Sequence, residues 1–192
     1  MTIKENIYGR KTWGPIIWHM YHTFAIHIIN DNNSIEIFKL FNNSLGYILP
    51  CEECKNHFNF IIENIYLLDT SIKKDNLFFY TYKIHEIVNE SLNKKNISFK
   101  KAYNIHKKTN NEEIIFIIKT IYQNLDYDKM SFFEYDKIMC FFISFCKLYP
   151  NDDIQNIFKK LISSTEFKQI KTPKNFQKFI SQYFLPLEIT KS

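Results

Sequence analysis

The sequence predicts an all-α protein, and three observations lead there. Only three Gly and five Pro occur in 192 residues, too few for many short strands joined by tight turns. Apolar residues recur at intervals of three and four along most of the chain, which is the helical period. Apolar side chains make up 45% of the residues, enough for a sizeable core at this length without disulfide staples.

Each element follows from local signals. Trp13 to Ile29 carries Gly14-Pro15, a start signal in which Pro occupies the first turn of a helix. Gly14, Trp18, His22 and Ala25/Ile26 then share one face, which holds an indole and an imidazole. Ser34 caps a second helix, Ile35 to Leu49, with Ile37, Leu40 and Phe41 facing inward. Pro50 interrupts the pattern, and a third helix starts at Cys51 and runs to Asn64. Asp75 to Leu92 is a fourth, with Phe78, Tyr82, His85, Asn89 and Leu92 on its inward stripe. A His and an Asn on such a stripe are costly to bury unless something polar lies against them. Ser98 caps a short fifth helix, Phe99 to His106. Residues 107–111 look like a linker, followed by helical patterns at Glu112–Leu125, Phe132–Leu148, Asp152–Ser163 and Pro173–Phe184 that contain no cluster of polar groups. The expected division is therefore residues 1–106 and a small helical domain over 107–192.

The formal charge of +5 comes from lysines interleaved with acids, which describes a solvated basic surface better than a nucleic-acid site. Met1 to Arg10 has neither the apolar run of a signal peptide nor that of an anchor. The longest apolar run, Ile138 to Cys146, is far too short to span a bilayer. Without an address the default location is the reducing cytoplasm, where a C-x-x-C pair is more often catalytic or metal-binding than a static staple.

That pair is Cys51-Glu52-Glu53-Cys54, followed by His57-Phe58. Cys51 falls at a helix start, whose unpaired amides favour a thiolate, while Glu52 and Glu53 oppose ionisation. Cys54 and His57 point into the domain on helical spacing, and Cys51, a turn earlier, is expected to be the more open sulfur. Cys140 and Cys146 lie six apart in one helix, on different faces, and read as buried inert thiols. One alternative is a zinc module using Cys51, Cys54, His57 and His85, although no second closely spaced pair exists to complete it. Another is a helical interaction scaffold without redox activity. A thioredoxin-like enzyme would need β-α-β alternation that the chain lacks.

Three motifs in order, Gly14-Pro15-x-x-Trp18-x-x-x-His22, Cys51-x-x-Cys54-x-x-His57-Phe58 and His85-x-x-Val88-Asn89-x-x-Leu92-x-Lys94, resemble the flavin-linked sulfhydryl oxidases of the Erv/ALR family. The resemblance covers residues 8–106. It implies a four-helix bundle plus a short fifth helix that binds FAD, with Cys51 and Cys54 as the redox pair. It also implies that Gly14, Trp18, His22, His57, His85, Asn89, Leu92 and Lys94 line the FAD site, with no metal. Electrons would pass from a protein dithiol substrate or a thioredoxin-like donor through Cys51 and Cys54 to FAD and on to O2, giving H2O2. The family implies a homodimer, and its members in large DNA viruses suggest the host cytoplasm, a virus factory or a virion. Two departures stand out: Glu86 where the family usually has Asn, and Asn93 where it often has Gly. No shuttle cysteine precedes Cys51.

Overall fold

A computed structural model describes residues 9–28, 31–64 and 74–188, and among these every regular element is helical. The elements are α1 (Arg10–His27), α2 (Asn32–Leu45), a 3-10 turn (Gly46–Ile48), α3 (Glu52–Asn64), α4 (Lys74–Ser91) and α5 (Phe99–His106). They continue as α6 (Asn111–Gln123), α7 (Phe132–Leu148), α8 (Asp152–Ser163), α9 (Thr165–Lys168) and α10 (Pro173–Phe179), which runs into a π-helical turn (Ile180–Phe184). The all-α expectation holds, and α7 and α8 begin and end where the sequence put them.

Several boundaries move for identifiable reasons. α1 begins a turn before Gly14-Pro15, so Pro15 lies inside the helix and one amide bond of its second turn is missing. Ile29, the expected last residue, lies outside the described residues. Ser34 is not the cap of α2. Asp31 takes that position and accepts from the Ser34 amide at 2.8 Å and its hydroxyl at 2.7 Å. A carboxylate suits the positive end of a helix better than a hydroxyl does. The last turn of the predicted second helix tightens into the 3-10 segment, where a side chain on Gly46 would run into Asn59 of α3. Ser98 caps α5 as expected, and Ser131 and Glu134 form a capping box at the start of α7.

One aromatic-rich core runs through both halves of the sequence. Phe24 of α1 packs on Phe41 of α2 at 5.2 Å between ring centroids and on Phe145 of α7 at 5.8 Å; Phe41 meets Phe141 at 5.3 Å. α1, α2 and α7 thus meet in one cluster, and the buried core is continuous across the boundary expected near residue 107. Phe142, Tyr122, Phe176 and Phe184 close the far end, and Lys119 donates to the carbonyls of Leu185 and Leu187 at 2.8 and 2.5 Å. A buried polar cluster of Tyr21, Asn42 and Tyr80 ties α1, α2 and α4 together. No helix among the described residues is long and apolar enough to cross a membrane.

Candidate functional site

Pro50 ends the preceding turn and leaves Cys51 as the residue before α3, so the first turn of that helix folds around its sulfur. Cys51 Sγ accepts the Cys54 amide at 3.3 Å, Cys51 O accepts the Lys55 amide at 2.9 Å, and the two cysteines form a disulfide with their Cα atoms 5.1 Å apart. The exposure order is the reverse of the expected one. Cys51 is buried at 9% exposure, packed into the core, whereas Cys54 is half-buried. The spacing of three brings the two sulfurs together, and it is Cys51 that belongs to the buried core while Cys54 lies at its edge.

Cys54 opens onto a cavity of about 440 Å3, within the usual range of about 300–1,000 Å3 for small-molecule sites. Six of the predicted residues lie in its wall: Gly14 and Trp18 from α1, Cys54 and His57 from α3, and Leu92 and Lys94 just beyond α4. Sequence reasoning missed the rest of the wall, including Arg10, Trp13, Ile17, Leu49, Phe58 and Val88. Ile17 and Phe58 could have been found at helical spacing from Gly14 and Cys54; Arg10 carried no signal. Arg10 bonds Glu53 at 2.6 Å, linking α1 to α3 at the cavity's exposed edge. Leu92 is exposed instead of lying on a buried stripe; Phe78 and Tyr82 of the expected stripe are buried against Ala102 of α5, while Leu77, Tyr80 and Ile84 face the main core.

Asn93 answers one of the departures. Its φ of 53° is the left-handed conformation, and Lys94 N donates to Asn89 O at 2.8 Å while Asn93 N donates to Glu90 O at 3.0 Å. These bonds are a Schellman turn, and Asn fills the role that Gly would have because it tolerates this conformation. The turn delivers Lys94 to the cavity. Glu86, the other departure, is held by Lys83 at 2.7 Å.

His22 and His85 lie behind the wall instead of in it. The Trp18 indole and the His85 imidazole stack at 3.9 Å and 3°, with no room for another ring between them. His22 Nδ1 lies 2.9 Å from Thr81 Oγ1, and Thr81 spends its own proton on Phe78 O at 3.0 Å. Nδ1 is therefore the protonated nitrogen of His22, and its Nε2 accepts from His85 Nδ1 at 2.9 Å. His85 is thereby fixed with a bare Nε2. Two histidines that the sequence did not single out complete the cluster. His19 and His106 share a bond at 2.9 Å between their Nδ1 atoms, and His106 lies 4.5 Å from His22 between ring centroids. Burial, reinforced by neighbouring imidazoles, holds His22 well below its ordinary pKa. Burial and the nearby Lys94 bring His85 down to about 4, and burial with His19 and His85 does the same for His106. All three are neutral at pH 7. Asn89 stands apart from the cavity, donating to Asn96 at 3.0 Å. The polar partners required by the His85/Asn89 face are thus supplied within the chain.

Among the described residues no group of three or more His, Cys, Asp or Glu side chains is arranged to hold a metal ion. The zinc alternative would need Cys51 and Cys54 as separate thiolates, and here they are bonded to each other. Cys140 and Cys146 are free; Cys146 is fully buried, and burial raises both thiols.

Comparison with known proteins gives the family. The chain is 32% identical over 123 residues to a protein named FAD-linked sulfhydryl oxidase from African swine fever virus, covering 62% of this chain and 92% of that one. A second isolate's protein of that name is 31% identical over the same extent. A protein named probable FAD-linked sulfhydryl oxidase from Acanthamoeba polyphaga mimivirus is 29% identical over 102 residues, 52% of this chain and 71% of that one. No solved structure matches significantly. The model of the Erv1 / Alr family matches residues 15–111, which span α1 to the start of α6 and include every cysteine, histidine and tryptophan of the site except Trp13, and the chain belongs to that family.

Proposed function

We propose that the chain is an FAD-linked thiol oxidase that forms disulfides in protein substrates. The observation that carries this reading is the position of Cys54, one sulfur of a C-x-x-C disulfide, in the wall of an apolar, aromatic cavity. The wall suits FAD. Trp18, Ile17 and Phe58 offer flat apolar surface, Arg10 and Lys94 place cations at its edge, and a Cβ built on Gly14 would meet nothing within 4 Å, so that this stretch of wall is open to a ligand. Gly14, Trp18, His57, Leu92 and Lys94 would hold the cofactor directly, with His22 and His85 supporting Trp18 from behind and Asn89 anchoring the turn that carries Lys94.

The chain's own chemistry is thiol–disulfide exchange. A substrate thiolate attacks Cys51 Sγ, the Cys51–Cys54 bond breaks, and Cys54 leaves as a thiolate facing the cavity. A second substrate thiolate then attacks the mixed disulfide, releasing oxidised substrate and leaving the electron pair on the enzyme dithiol. FAD held by these residues would supply the acceptor for that pair and the route to O2, giving H2O2. Cys54 is the more exposed sulfur here, but it opens onto the cavity, so a ligand there would cover it; Cys51 lies outside that wall, and the 9% of it that is exposed is where a substrate thiolate would attack.

The same reading assigns the substrate role to a protein dithiol or a thioredoxin-like donor and the oxidase role to residues 1–106, and it gives the helical part over 107–192 no role of its own. It places the protein in the host cytoplasm or a virion. A homodimer belongs to it through the family, using a face other than the side of α2 that α7 fills. The test is the visible spectrum of purified protein and its bleaching by dithiothreitol. Yellow protein is expected, with Cys54→Ser still yellow but reduced at least about a hundredfold more slowly, the effect of losing a reacting group. Colourless protein, or normal bleaching in Cys54→Ser, would overturn the reading.

A further inference from the structure

Lys55, the residue after the disulfide, is only 8% exposed, rare for a lysine. It lies one helical turn from Cys51, and long side chains on a helix lean towards its N-terminus. Its ammonium accordingly reaches back to 3.8 Å from Glu52, lies 5.4 Å from the centroid of the Tyr47 ring and bonds Glu134 at 3.1 Å. Glu134 comes from α7, outside the 15–111 family match, and the capping box with Ser131 fixes its carboxylate in place. The two side chains are 10% and 18% exposed. Burial works to raise the Glu134 carboxyl, but its bonds to Lys55 and Ser131 outweigh that and hold it below the usual range.

A cation beside a dithiol stabilises the thiolate, and a carboxylate on that cation takes part of the effect away. We propose that Lys55 and Glu134 jointly set the acidity and reduction potential of the Cys51–Cys54 pair, so that α7 tunes a redox centre built by α3. Glu134 acts by offsetting the Lys55 charge and is a positioning residue. The remaining charges at this end are weaker influences. Glu52 and Glu53 are exposed, Arg10 of α1 is engaged by Glu53, and Lys137 of α7 lies over the Tyr47 and Phe133 rings. His57, a turn further along α3, faces the cavity. The proposal rests on reading the pair as redox-active.

The test uses full-length protein reduced with a phosphine, alkylated with iodoacetamide across pH 5–9 and read at each cysteine by mass spectrometry. The pair's potential is measured in parallel against glutathione buffers. Glu134→Gln leaves Lys55 with only the exposed Glu52 at 3.8 Å and should speed alkylation at pH 7 by about three- to tenfold, a shift of about half to one pKa unit. A tenfold stabilisation of the reduced form makes the couple more oxidising by about 30 mV. Lys55→Met should move both readouts the opposite way, and the double variant should return to within about twofold of the parent. Unchanged profiles in both single variants, shifts in the same direction, or a double variant that fails to return would overturn the proposal. Alkylation needs no flavin and no turnover. Opposed shifts in a protein that oxidises no dithiol would sink the oxidase reading while leaving this coupling intact.

Discussion

Acid should unfold this protein earlier than its carboxylates alone would dictate, because a layer of neutral histidines is buried between α1, α4 and α5. In the unfolded chain each imidazole titrates at about 6.5, whereas burial brings His85 and His106 down to about 4 and His22 and His19 also below the ordinary value. Between those values the unfolded chain binds more protons than the folded one, so stability falls as pH falls from 6.5 and levels off only below the folded values. Each imidazole moved that far removes roughly 3 kcal/mol by pH 4. His85 and His106 belong to one coupled cluster, so half their combined effect, about 3 kcal/mol, is the working figure. That is a large share of a typical 5–15 kcal/mol. Urea unfolding followed by circular dichroism at pH 7.5, 6.5, 5.5 and 5.0 isolates the effect, since most carboxylates stay ionised throughout. The midpoint should drop steadily below pH 6.5, and His106→Gln should flatten the slope whatever it does to stability at pH 7.5. A midpoint constant from pH 7 to 5, or an unchanged slope in His106→Gln, would refute the reasoning.

Two further outcomes follow from single backbone positions. Gly14 lies within α1 with open space where a side chain would go, so Gly14→Ala should stabilise the protein by about 0.5–1 kcal/mol in urea melts. Gly14→Leu, which pushes into the 440 Å3 cavity, should instead lower the flavin content of the purified protein. Asn93 holds φ 53°, so Asn93→Gly should be nearly neutral, whereas Asn93→Val should cost about 1–2 kcal/mol and weaken flavin retention by displacing Lys94.

The helices were legible because their causes are local. Scarce Gly and Pro, apolar spacing of three and four, and caps such as Ser98 act within a turn or two of chain, which is why α7 and α8 fell where expected. The C-x-x-C was legible for the same reason, since three residues at a helix start bring two Cα atoms to 5.1 Å whatever surrounds them. Where two local signals competed, as with Asp31 and Ser34 at the start of α2, the wrong cap was chosen. The three family motifs supplied further wall residues by resemblance, Gly14, Trp18, His57, Leu92 and Lys94, but nothing local could say that Trp18 and His85, 67 positions apart, would stack.

What the sequence determined by itself is therefore a set of helices and the side chains each carries: a C-x-x-C pair, an indole, imidazoles and a lysine at a helix end. Tertiary structure alone decided which sulfur is buried, that His19 and His106 join the histidine layer, that α7 fills the face of α2, and that Glu134 reaches Lys55 across 79 residues. The physical reason is one of range. Helix propensity and capping are settled between near neighbours, whereas exposure, proton affinity and charge compensation depend on what distant segments bring to the same few ångströms.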